Sequence, residues 1–104
     1  MKKRRQRHYL LSAIKVAFSD STRINRTMTA TNGAEDLGMD EQAVAAVIAA
    51  LTSRDFDKSM RSDIDPNVWQ DVYKPAIKGQ ELYVKFTLDT QGALLLISFK
   101  ENEG

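Results

Sequence analysis

From Glu81 to Asp89 apolar and polar residues alternate, with Leu82, Val84, Phe86 and Leu88 on one side and Glu81, Tyr83, Lys85 and Thr87 on the other. This period of two marks a half-buried strand. The turn sequence Asp89-Thr90-Gln91-Gly92 leads into a second alternating run, Ala93 to Lys100, and two strands so close together predict an antiparallel hairpin. Pairing Leu88 with Ala93 sets Phe86 opposite Leu95, Val84 opposite Ile97 and Leu82 opposite Phe99, an apolar face that helices must cover. On the other face Tyr83 then lies across from Ser98 and diagonal to Lys100, within reach of long side chains. Val68 to Lys74 reads as a third strand, joined to the hairpin through Pro75 to Gln80.

The first half of the chain has helical spacing. Leu10, Leu11, Ile14, Ala17 and Phe18 predict a short amphipathic helix from Tyr9 to Phe18, ended by Ser19-Asp20-Ser21. Arg23 to Thr27 reads as a short strand, and Thr31 to Leu37 as a brief helix closed by Gly38. Asp40 is placed to cap a stronger helix in which Val44, Val47, Ile48 and Leu51 form one stripe and alanines fill the rest. This alanine-rich helix is expected to cover the apolar sheet face. Thr52 and Asp55 have capping-box spacing.

Between Asp55 and Pro75 these periods break off, and Asp65-Pro66-Asn67 marks a turn. Polar, aromatic and basic residues crowd together there. Trp69 and Tyr73 are of a type that stacks on bases, though packing suits Trp69 better. Asp63 and Asp71 read as turn or ion-pair residues.

Length and composition bound the chemistry. The 104 residues, 42% hydrophobic and 28% charged, suit one globular domain spanning 1–104, an α+β fold with a small antiparallel sheet and helices packed on one face. No cysteine and the single histidine, His8, exclude disulfide frameworks, thiol nucleophiles and zinc fingers. No cofactor and no metal site is expected, although a carboxylate-only magnesium site stays open. His8 reads as a surface or capping residue.

Net charge is +1, yet Lys2, Lys3, Arg4, Arg5 and Arg7 precede residue 8; without those five of the 15 basic residues, 10 face 14 acidic ones, a body of −4. Nucleic-acid binding must then come from a local patch. Residues 1–8 read as a basic, frayed tail, with a phosphate-contacting arm as the other reading. Neither a signal-peptide apolar region nor a run of spanning length follows, so a cytoplasmic protein without membrane contact is expected.

The sheet face opposite the helices should carry Tyr83, Lys85, Ser98 and Lys100, with Lys58 and Gln70 supplied by the crowded stretch. A phenol among ammonium groups suits phosphate chemistry. When a ribose 2′-hydroxyl attacks phosphorus, negative charge gathers on the phosphoryl oxygens, and fixed cations stabilise that transition state more than the ground state. Clustered positive charge is also expected to lower the pKa of a lysine or tyrosine toward proton transfer.

Asp55-Phe56-Asp57-Lys58-Ser59-Met60, Val68-Trp69-Gln70-Asp71-Val72-Tyr73-Lys74-Pro75 and Ile97-Ser98-Phe99-Lys100-Glu101 resemble the MqsR family of bacterial toxins. The resemblance implies a RelE-like fold and a ribosome-independent mRNA endoribonuclease toxin of a type II toxin-antitoxin system. It implies a preference for short sequences such as GCU. It further implies a cognate MqsA-like antitoxin with a zinc-bearing toxin-binding part and a helix-turn-helix part, so that DNA is met only through that partner. The family's proposed active-site residues fall on Lys58, Gln70, Tyr83 and Lys100. Lys58 and Lys100 are assigned to phosphate charge, Tyr83 to proton transfer or orientation, and Gln70, Lys74 and Lys85 to substrate binding. Three departures stand out: Asp57 replaces a tyrosine, Lys74 replaces an arginine and loses its bidentate fork, and the final hairpin is longer. The rival expectation is a non-catalytic RNA- or protein-binding module, a degenerate toxin acting in transcriptional regulation with its partner.

Overall fold

The computed structural model describes residues 3–103, with the Lys3 side chain left aside. Along the chain come β1 (Lys3–Arg4), α1 (Leu11–Ala17), α2 (Met28–Asp36), α3 (Glu41–Ala49), β2 (Phe56–Arg61), β3 (Trp69–Tyr73), β4 (Ala76–Ile77), β5 (Gln80–Leu88) and β6 (Leu94–Glu101). The result is an α+β fold. All strand pairs are antiparallel and the sheet runs β1-β2-β3-β5-β6, with β4 prolonging β3 along the same edge of β5.

β4 and β5 turn through Lys78 and Gly79, both at positive φ (52° and 81°). This is the backbone of a type I′ turn, whose twist matches that of the flanking strands.

Helix starts follow local hydrogen-bond chemistry. The Asp40 carboxylate accepts from the Ala43 amide at 2.9 Å and the Thr27 hydroxyl from the Ala30 amide at 3.2 Å, satisfying amides that the first turn leaves free. Thr52 and Asp55 form the predicted capping box on a single 3₁₀ turn. α2 starts earlier than the spacing implied because Thr27 is its cap. Asn25 and Thr27 also pair in parallel with Leu96 of β6, which is all that forms of the expected strand at Arg23–Thr27.

The core lies between the helices and one sheet face, with Ile14, Phe18, Ala30, Ala34, Val44, Ile48 and Leu51 against Tyr73, Leu82, Val84, Phe86, Leu96 and Phe99. The alanine-rich α3 is not the helix nearest the strands. That place falls to α2, where a Cβ on Gly33 would come within 2.2 Å of the Phe99 carbonyl oxygen. Only glycine permits this approach.

Two irregularities decide which side chains reach the open face. In β2 the register shifts between Phe56, opposite Tyr73, and Lys58, opposite Val72, so Asp57 is an extra residue. In β6 it shifts at Ile97: Phe86 pairs with Leu96, but Lys85 pairs with Ser98 and Tyr83 with Lys100. The expected hairpin register is therefore wrong by one residue before the bulge and two after it. Leu96 and Phe99, three apart, both enter the core as a consequence.

The stretch from Phe56 to Arg61, read as lacking a regular period, is an interior strand. Of the basic segment, Met1 and Lys2 lie outside the described residues. Lys3 and Arg4 pair with Met60 and Ser59 in a strand rather than fraying.

Candidate functional site

Because β2 bulges at Asp57, Phe56 turns into the core against Tyr73 while Lys58 emerges on the open face opposite Val72. Val72 pairs on its other side with Lys85, which pairs with Ser98. Continuing the β3–β5 register by one residue places Lys74 opposite Tyr83, which pairs with Lys100. Two rows thus cross the sheet, Lys58-Val72-Lys85-Ser98 and Lys74-Tyr83-Lys100. Val72 is fully buried although it faces away from the helices, and the lysines beside it are placed to cover it with their stems.

Tyr83 is the centre of this patch. The Lys100 Nζ lies 5.6 Å and the Lys85 Nζ 5.7 Å from its ring centroid, near enough for the ring quadrupole to attract both ammonium groups. Asp57 supplies the opposing charge, with its Oδ2 3.4 Å from Lys74 Nζ and 3.8 Å from Lys58 Nζ.

The titrations divide. Burial, then the nearby Lys100 and Lys58 charges, holds Lys85 below its ordinary value. Burial, then the Asp57 carboxylate, pushes Tyr83 up. The expectation that clustered lysines would lower the phenol's pKa is overturned, because desolvation disfavours the phenolate and the nearest acid adds to it. At neutral pH Tyr83 is a donor, and Lys85 is the group drawn toward losing a proton.

Lys58, Lys74, Tyr83, Lys85 and Lys100 are therefore gathered in one patch. Gln70 lies on the same face of β3, two residues from Val72 and opposite Met60, farther from the phenol. Tyr73 does not stack on a ligand: it is fully buried, and burial first, then the charge of Asp71, raises its hydroxyl to about 12. Trp69 packs against Arg4, 3.9 Å over its ring, and His8, stacked at 5.7 Å.

Asp71 is not a turn residue, and among the described residues it forms no ion pair. It sits inside β3, fully buried, and accepts from the His8 amide at 2.8 and 3.0 Å and the Tyr9 amide at 2.9 Å. No local sequence signal marks a contact between residues 62 positions apart. Among the described residues no group of three or more His, Asp or Glu side chains is gathered as metal ligands would be.

A phenol with two ammonium groups near its ring, on the open face of an α+β sheet, defines a small protein with a basic patch on that face. The family model for the motility quorum-sensing regulator, toxin of MqsA, matches residues 6–101, and the chain belongs to this family. The mRNA interferase toxin MqsR of Escherichia coli (strain K12) is 35% identical to it over 98 residues, covering 94% of this chain and 97% of that protein.

Proposed function

We propose that this protein is the toxin of a type II toxin-antitoxin pair, an endoribonuclease that cuts mRNA on the open face of its sheet, independently of the ribosome. The observation that carries the reading is Tyr83 with two ammonium groups within 6 Å of its ring, in a chain whose relative is named an mRNA interferase toxin. The RelE-like classification of the fold belongs to the same reading.

The reaction suited to these groups is transesterification. The ribose 2′-oxygen bonds to phosphorus as the bond to the 5′-oxygen breaks, leaving a 2′,3′-cyclic phosphate and a 5′-hydroxyl. The neutral amine of Lys85 takes the 2′-hydroxyl proton, and the Tyr83 phenol gives one to the departing oxygen. Lys58 and Lys100 stabilise charge on the phosphoryl oxygens. Lys74 and Gln70 hold neighbouring parts of the RNA.

The partner is an MqsA-like antitoxin, and DNA is reached only through it. Among the described residues no helix is long and apolar enough to cross a membrane, and a cytoplasmic site of action fits an mRNA substrate.

The test is incubation of partner-free protein with a defined RNA in EDTA and mapping of 5′ ends, beside folded Lys58→Ala, Tyr83→Ala and Lys100→Ala proteins. Discrete cuts that vanish in the variants are expected. Cuts unchanged in all three would dismiss this site.

One observation favours a second reading, a non-catalytic module: Asp57 pairs with both Lys58 and Lys74 and offsets charge where phosphate would bind. RNA binding without cleavage by the wild type would select it.

A further inference from the structure

The basic N-terminal segment is tied to the sheet at two points. Lys3 and Arg4 pair with β2, and a few residues on the buried Asp71 carboxylate receives the amides of His8 and Tyr9. Hydrogen bonds from amides to a carboxylate are among the stronger kinds, and here the acceptor itself is buried. Between these anchors the Arg4 guanidinium lies over Trp69 and contacts His8 Nδ1 at 2.6 Å. So short a tether leaves Arg5 little freedom.

Arg5 is exposed, and continuing the β1–β2 register by one residue sets it opposite Lys58. Arg4, Arg5, Phe56, Asp57 and Lys58 line one cleft. Among the described residues Lys58 shares Asp57 with Lys74, while no carboxylate pairs with Arg5. The arm thus returns to this edge of the site the positive charge that Asp57 offsets.

Distance sets its role. Three strand spacings separate Arg5 from Lys85, roughly 14 Å at about 4.8 Å each. With its side chain standing off the sheet, a guanidinium there is better placed for a neighbouring phosphate of the same strand than for the one at Tyr83.

We propose that Arg5 forms a second phosphate subsite of the RNA cleft, beyond Lys58, and that Asp71 is the positioning residue that holds the arm carrying it. The inference rests on the ribonuclease reading for the identity of the ligand. It makes recognition depend on RNA length, with short RNA held by the lysine patch alone and longer RNA also engaging the arm.

The experiment uses the full chain and two uncleavable 2′-O-methyl oligonucleotides, a trinucleotide and a dodecamer, with binding measured over a series of salt concentrations. Arg5→Ala is expected to lower the dodecamer-to-trinucleotide affinity ratio about threefold near 0.15 M salt. It is also expected to flatten the dodecamer's log–log salt slope by about 0.7, the amount for one lost single-strand phosphate contact. Arg5→Glu should lower the ratio further. With cleavable RNA, Asp71→Asn should raise KM for the dodecamer and leave kcat unchanged, a split that general loss of folding does not give.

An unchanged ratio and slope in both Arg5 variants overturns the inference, including where those variants weaken antitoxin binding instead. A wild type that cuts no RNA sinks the ribonuclease reading, while the salt slopes still decide the arm. A cutting wild type with unaffected slopes in the arm variants sinks the arm alone.

Discussion

Half-buried Lys85 carries its ammonium near two others, and both burial and that repulsion favour its neutral form. Tyr83, beside it, is held protonated by burial and by Asp57. If Lys85 is the base and Tyr83 the acid, cleavage rises with pH through a lysine value below 10.5 and falls only above the phenol's ordinary 10.0. Lys85→Arg keeps the charge but cannot become neutral, so it should cost about 10²–10⁴ in kcat and remove the rising limb of the pH–rate profile. A variant that retains wild-type kcat would return Lys85 to a phosphate-binding role. Asp57→Asn tests the opposing charge. Removing a partly exposed ion-pair partner changes interaction energy by about 0.2–1 kcal/mol, so RNA affinity should rise by up to about fivefold, less at high salt, and the falling limb should move to lower pH. Affinity measured by fluorescence anisotropy and a pH–rate profile check the two effects separately. The identity of the patch was legible at this scale: lysines and a tyrosine at alternate positions announce a polar sheet face. The direction of the phenol's titration was not, because it depends on burial and on an acid brought in by a bulge.

The bulges are where elements depart from their sequence pattern. Leu94-Leu95-Leu96-Ile97 is continuously apolar, so alternation has no phase there and cannot reveal that Ile97 is the extra residue. The strand was predictable and its register was not, although that register sets Lys100 opposite Tyr83 instead of diagonal to it. In β2 the polar residues Asp57, Lys58 and Ser59 hid a strand because Ser59 is buried and the bulge reverses the alternation. Helix spacing fared better: α3 and its Asp40 cap stand where the stripe placed them. Helix depth could not be read, since Gly33 looks like a weak point in α2 and is in fact its contact with β6. Gly33→Ala should therefore destabilise the fold by about 1–3 kcal/mol through overpacking, although alanine is the better helix former. Thermal unfolding would show a lowered midpoint; a raised one would mean that the α2–β6 approach relaxes freely. At the β4–β5 turn the sign reverses. Lys78 occupies the left-handed region at φ 52°, and Lys78→Asn, giving Asn-Gly, should stabilise by about 0.5–1 kcal/mol in the same measurement.

Over the whole molecule, a net charge of +1 hides a division between a basic N-terminal segment and a body of −4. The fold brings the segment back to the sheet edge near Lys58, so its charge adds to that of the open face. Binding should depend on few contacts. On the proposed reading Lys58, Lys74, Lys100 and Arg5 are the groups that meet backbone phosphates, and Asp57 lies near two of them. At about 0.7 per neutralised phosphate on single-stranded RNA, four contacts give a log–log salt slope near −2.8, and the charge offset by Asp57 brings it to roughly −2 to −2.8. A slope inside that range locates affinity in this patch. A slope near zero would mean that the RNA is held by stacking or base contacts elsewhere. One much steeper than −4 would require basic residues away from this face, Arg23, Arg26 and Arg54 among them, and would extend the RNA path around the helices.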